Sequence, residues 1–189
     1  MDRRSLLKSL GLAAGAALLP AWTGIFTACK ETGKPYVPLY FSPEAFAAAS
    51  AMADRILPET DTPGALAVGV PVFIDLYAGE TFNEEQLAIF KAGLDDLNKR
   101  ATDQAAKPFA QLPAAEQDAL LTRLEEETLL RVESKEKGPF FFMQMKDMVV
   151  RGFCTSEYGA TQFLAWEDVP GRWEACMPYE KAGRAWANV

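Results

Sequence analysis

The sequence predicts an all-α protein: a compact domain of about five to six helices with an irregular C-terminal tail, preceded by an export signal. The prediction starts from Leu87, Phe90, Leu94 and Leu97, which recur at spacings of 3, 4 and 3 and form one amphipathic stripe. Helix-start signals also recur, at Ser42-Pro43-Glu44, Asn83-Glu84-Glu85 and Pro113. No apolar–polar alternation of strand type extends beyond a few residues.

Arg3-Arg4 heads the basic segment Asp2–Lys8, and an uncharged run rich in Ala and Gly follows from Ser9 to Cys29. This pattern is that of a twin-arginine export signal, so residues 1–28 are set apart from the fold. Phe26-Thr27-Ala28-Cys29 is similar to a lipidation site at Cys29, with Phe26 where Leu is usual. Ordinary cleavage and a retained anchor stay open, because the uncharged run is about as long as the ~20 residues a span needs. The expected location is the bacterial cell envelope, on the periplasmic side and attached to the membrane. Residues 29–41, with Gly33, Pro35 and Pro38, read as a flexible tether, and 42–189 as one helical domain.

The first helix begins at Ser42, with Pro43 in its first turn, and presents Phe46, Ala49, Ala53 and Ile56 on one face. Pro58 stops it, and Pro58–Ala65 is a dense turn segment. A short helix begins near Val70-Pro71, carries Phe73, Ile74, Leu76 and Tyr77, and is expected to close at Gly79. Asn83 caps the helix of the Leu87–Leu97 stripe. Pro113 opens another, with Leu120, Leu121 and Leu124 inward and Glu125, Glu126 and Glu127 on a solvated face. The segment after Gly138-Pro139 is rich in Phe and Met, carries few charges, and reads as the central, most buried helix. Met143 and Met145, two residues apart, point about 200° from each other on a helix, so the cluster packs a core rather than binding a metal. Ser156 caps a short helix containing Phe163, Leu164 and Trp166, and from Asp168 the chain is irregular.

Composition narrows the chemistry. There is no histidine in 189 residues. This excludes Ser-His and Cys-His nucleophiles, His-ligated haem and His-containing zinc or copper sites. No glycine-rich dinucleotide fingerprint or phosphate loop is present. The formal net charge is −7, and −9 without residues 1–28, whose Asp2, Arg3, Arg4 and Lys8 sum to +2. Such a domain does not attract nucleic acid. Of the three cysteines, Cys154 and Cys176 remain if Cys29 is lipidated. In an oxidising compartment a disulfide between them is expected, closing a loop of roughly 20 residues and contributing about 3 kcal/mol; the alternative is two buried reduced cysteines acting as small hydrophobes.

Several segments in order resemble a known family: the twin-arginine leader, Ala53-Asp54-Arg55-Ile56-Leu57-Pro58-Glu59-Thr60-Asp61-Thr62-Pro63-Gly64-Ala65, Gly69–Asp75, Thr155-Ser156-Glu157-Tyr158-Gly159, and Val169-Pro170-Gly171-Arg172-Trp173-Glu174-Ala175-Cys176. Together they are similar to gluconate 2-dehydrogenase subunit 3, the small subunit of a dehydrogenase complex. The resemblance implies a non-catalytic accessory chain with no cofactor of its own. Its implied partner is a large flavoprotein of the glucose–methanol–choline type, which holds FAD and oxidises gluconate or a related sugar or sugar acid. A c-type cytochrome carrying haem c is implied as a third subunit. The flavoprotein commonly lacks a leader, so the small chain supplies it to the twin-arginine translocase.

Residues expected at the partner interface are Asp54, Thr60, Asp61, Thr62, Pro63 and Gly64, then Ser156, Glu157 and Gly159, and Pro170, Gly171 and Trp173. Each has a structural reading beside the functional one. The first group also reads as a helix-to-helix turn with Asp54 and Arg55 as a surface ion pair, and the second as a helix cap with a permissive glycine. Trp166, Trp173, Trp186, Tyr158 and Tyr179 either clamp the tail to its own domain or enter a partner. Two rival readings are an enzyme using a carboxylate pair such as Asp54 and Glu59, and a stand-alone envelope lipoprotein that binds or scaffolds. Turnover or a bound chromophore in the pure chain marks the first, and an adjacent gene for a leaderless flavoprotein separates the accessory reading from the second.

Overall fold

An alanine-rich helix occupies the centre of the fold. The structure, a computed structural model, describes residues 36–167, Val169 and 176–187. The chain divides into two units, residues 1–36 and 37–189, and every element below belongs to the second. The fold is all-α. Among the described residues, β pairing is limited to an isolated parallel bridge between Ala165 and Trp186, and no helix is long and apolar enough to cross a membrane.

Helix α1 (Pro43–Ile56) starts as the sequence predicts, with the Ser42 hydroxyl accepting the Ala45 N–H at 3.1 Å. Its buried residues are Ala45, Ala48, Ala49, Met52 and Ala53. It packs against α2 (Val70–Thr81), α3 (Glu84–Ala105), the 3-10 turn Phe109–Gln111, α4 (Ala114–Glu133) and α5 (Phe141–Thr155). The central helix is therefore α1 and not the Phe- and Met-rich α5. Short alanine side chains let neighbouring backbones approach on several sides at once, which bulkier residues prevent. On α5, Phe142, Met145, Met148, Val149 and Phe153 are buried while Met143 and Val150 are exposed. The two methionines diverge as their spacing requires.

Helix α2 runs past Gly79 to Thr81. Gly79 does not terminate it; a Cβ there would collide with the ring of Tyr40, which occupies the space. Helix α3 has a full capping box, in which Asn83 Oδ1 accepts the Gln86 N–H and Gln86 Oε1 accepts the Asn83 N–H. Phe90, Leu94, Leu97 and Ala101 form its buried face. The 3-10 turn joins α3 to α4 through two side chains: Asn98 Oδ1 accepts the Phe109 N–H, and buried Gln117 donates to the Phe109 carbonyl. The acidic face of α4 does more than meet water. Glu125 pairs with Lys146 of α5 at 2.7 Å, and Glu127 with Arg100 of α3 at 2.8 Å.

Beyond α5, the tail returns to the domain through the short helix α6 (Tyr179–Ala182). The Ala165 N–H donates to the Ala185 carbonyl at 2.8 Å and the Ala187 N–H to the Ala165 carbonyl at 2.9 Å. At the other end, the N–H groups of Leu39, Tyr40 and Phe41 are bonded to Asp75 of α2. The last residues of the expected tether are thus held on the domain.

Candidate functional site

The Pro58–Ala65 segment closes on itself. The Ala65 N–H donates to the Leu57 carbonyl at 2.9 Å and the Thr60 N–H to the Thr62 carbonyl at 3.0 Å. Gly64 is buried at the base of this loop, where a Cβ would lie 2.6 Å from the backbone nitrogen of Glu59. Only a residue without a side chain allows that approach. Gly64→Ala is expected to destabilise the domain by about 1–3 kcal/mol, read by denaturant unfolding; an unchanged midpoint would show that the loop is not closed in this way.

Thr60 and Asp61 are exposed at the loop tip, Thr62 and Pro63 are half-buried, and Asp54 is half-buried on the last turn of α1. Arg55 does not rely on Asp54 for its ion pair. Its guanidinium reaches across to α4 and makes a two-pronged contact with Asp118, at 2.7 and 2.9 Å. Hydrogen bonding from Arg55 holds the Asp118 carboxyl below its usual range. The pair is accordingly intact at neutral pH and is lost only as acid protonates Asp118 through that lowered value.

After the loop, the chain passes through Leu66-Ala67-Val68 and turns at Gly69, whose φ is 77°, into α2. This stretch faces the segment after α5. There the Ser156 hydroxyl donates to the Phe153 carbonyl at 2.7 Å and accepts the Gly159 N–H at 3.0 Å, ending α5 and capping the next turn. A single π-helical turn follows, Gly159–Phe163, closed by the Leu164 N–H on the Gly159 carbonyl. Gly159 is buried, and a Cβ there would strike the Phe153 carbonyl oxygen. Single π turns of this kind recur at functional sites.

Between the two segments lies an open cleft of about 300 Å³, lined by Ala67, Val68, Ser156, Glu157, Tyr158 and Gln162. Leu66, Phe163 and Trp166 stand close to half-exposed in the flanking sequence. The Tyr158 and Phe163 rings both pack on Phe153, at 6.2 and 5.3 Å. Arg184 ties the returning tail to the same wall, donating to the Gln162 carbonyl at 2.6 Å. The structure thus brings Ser156 and Glu157 beside the loop that continues from Gly64. Asp54, Thr60, Asp61, Thr62 and Pro63 do not line the cleft. Pro170, Gly171 and Trp173 lie outside the described residues, as do Arg3, Arg4 and Cys29. No sequence motif marks Leu66, Ala67, Val68, Gln162 and Phe163 as interface residues, although Leu66-Ala67-Val68 is an apolar run between two glycines in a turn region.

The structure does not show the expected Cys154–Cys176 disulfide; both cysteines are free in it. Cys154 sits half-buried against the core on the last turn of α5, while Cys176 is exposed in the tail. A pair count alone does not bring two Cα atoms within the roughly 7 Å that a disulfide requires.

Chemically, the cleft offers apolar edges, one carboxylate at Glu157 and a phenol at Tyr158, while the Ser156 hydroxyl is engaged in capping. This combination suits contact with another surface. The family model of gluconate 2-dehydrogenase subunit 3 matches residues 43–171, from the first turn of α1 through both walls of the cleft. No curated protein and no solved structure matches the chain.

Proposed function

Since the chain belongs to the gluconate 2-dehydrogenase subunit 3 family, we propose that it is the non-catalytic accessory subunit of an FAD-dependent dehydrogenase of the glucose–methanol–choline type. In this reading the FAD belongs to the large subunit, which oxidises gluconate or a related sugar or sugar acid, and a c-type cytochrome with haem c receives the electrons. The present chain binds and stabilises the flavoprotein and takes it through the twin-arginine translocase. It then stays on the periplasmic side of the membrane through lipid on Cys29. Family membership over residues 43–171 carries this reading. The leader of Arg3 and Arg4 supports it, because a folded-protein export signal on a chain without histidine suits a partner that holds the cofactor.

We place the flavoprotein contact at the cleft between Leu66–Val68 and Ser156–Phe163. Half-exposed Leu66 and Phe163 beside it offer apolar area that a partner can bury. Replacing both by Ser is expected to reduce recovery of the co-expressed flavoprotein about tenfold or more, with the helical content and unfolding midpoint of the isolated chain little changed. Undiminished recovery would remove the contact from this cleft.

A further inference from the structure

Helix α2 carries an acid where its packing favours an apolar side chain. Asp75 is fully buried between Ile74 and Leu76. A carboxylate is tolerated there only when its oxygens are well hydrogen-bonded. Three successive backbone N–H groups far upstream are among its donors. Leu39 N–H donates to Oδ2 at 2.7 Å, and Tyr40 and Phe41 N–H donate to Oδ1 at 3.1 and 2.9 Å. Successive N–H groups converging on one anion form a nest, and such charge-assisted bonds are roughly twice as strong as neutral ones.

Two rings flank this nest. Phe41 is buried and stacks on Phe90 of α3, with centroids 5.9 Å apart. The Tyr40 ring fills the space left by Gly79, one turn beyond Asp75 on α2. The side chains of Val37 and Leu39, by contrast, are about 70% exposed. Residues 39–41 are therefore held through their backbone and two rings, with the carboxylate at the centre. The arrangement needs α2 to be packed already: in an unfolded chain Asp75 is hydrated, and it lies 34 residues from Phe41.

We propose that Asp75 is a latch that fastens an N-terminal strap, residues 39–41, across α2, fixing where the chain enters the domain and where trimming from the N-terminus stops. A pull on residues 1–36 is then borne by the middle of α2 rather than by the first turn of α1. This inference stands whether or not the accessory-subunit reading holds.

The test compares the full chain with Asp75→Asn and Leu39→Pro, the second deleting the Leu39 N–H donor from an exposed position. Amide exchange and digestion with a non-specific protease, followed by mass measurement of the new N-terminus, read the strap. In the wild type, trimming is expected to stop by residue 38. In both variants the amides of Tyr40 and Phe41 are expected to exchange about tenfold faster or more, trimming is expected to pass into 39–42, and the Leu94–Leu97 amides should be unaffected. Unchanged strap protection in the variants, or wild-type trimming beyond residue 41, would overturn the proposal. If Asp75→Asn does not fold, Leu39→Pro decides the matter alone.

Discussion

Phe90→Ala is expected to cost about 3–5 kcal/mol of stability. Phe90 is fully buried and in ring contact with Phe41 and Phe82 at 5.9 Å and with Phe141 at 5.2 Å. These partners belong to the strap, to the end of α2 and to the start of α5, so one side chain joins three parts of the chain. Truncation removes that apolar contact and leaves a cavity that such dispersed neighbours cannot all close. Against a usual domain stability of about 5–15 kcal/mol, the loss is large. Thermal unfolding is expected to shift down by roughly 6–20 °C, at about 2–4 °C per kcal/mol for a domain of this size. A loss below about 1 kcal/mol would mean that the aromatic junction is not the centre of the core.

On the proposed reading, replacing Arg3 and Arg4 together by Lys is expected to leave the chain in the cytoplasm, and the proposed flavoprotein partner with it. A twin-arginine leader is read by its arginine pair, and guanidinium groups present planar, forked donors that an ammonium does not reproduce. The effect on the partner is the informative half, because the partner's own sequence is untouched. Normal export of both proteins would refute the signal reading. Export of the flavoprotein alone would refute co-export while leaving the leader intact. Cys29→Ser in the wild-type leader then addresses attachment: release into the soluble fraction is expected for a lipid anchor, and continued membrane retention would favour an uncleaved span.

Local chemistry made most of the helix starts legible. Ser42 and Asn83 cap α1 and α3 with side chains that reach only three residues ahead, so nothing distant is needed to recognise them. The ends and the centre were harder. Gly79 reads as a stop, yet its role is set by Tyr40 on another segment. Helix α5 looks central because its residues are large and apolar, whereas the hub is α1, whose alanines admit more neighbours than their modest hydrophobicity suggests. Asp75 is an acid in an apolar run whose meaning lies 34–36 residues upstream.

The candidate cleft was half legible. Ser156 and Glu157 stood out in a recognisable segment, but their juxtaposition with Ala67 and Val68 comes from tertiary packing alone. Gly64 and Gly159 also stood out, and the structure gives each a steric reason for lacking a side chain. That reason is local folding, which leaves the contact surface to the exposed residues around them. The cysteines show the limit of counting: a pair count points to a bond, and in the structure Cys154 and Cys176 are both free.

An affinity pull-down of the tagged chain from its native envelope, with a visible absorption spectrum of the eluate, tests the central claim most directly. The account predicts a yellow co-eluting protein with flavin bands near about 380 and 450 nm, the absorbance belonging to the partner's cofactor. A colourless chain recovered alone and stably folded would contradict it, and would favour a stand-alone envelope protein instead.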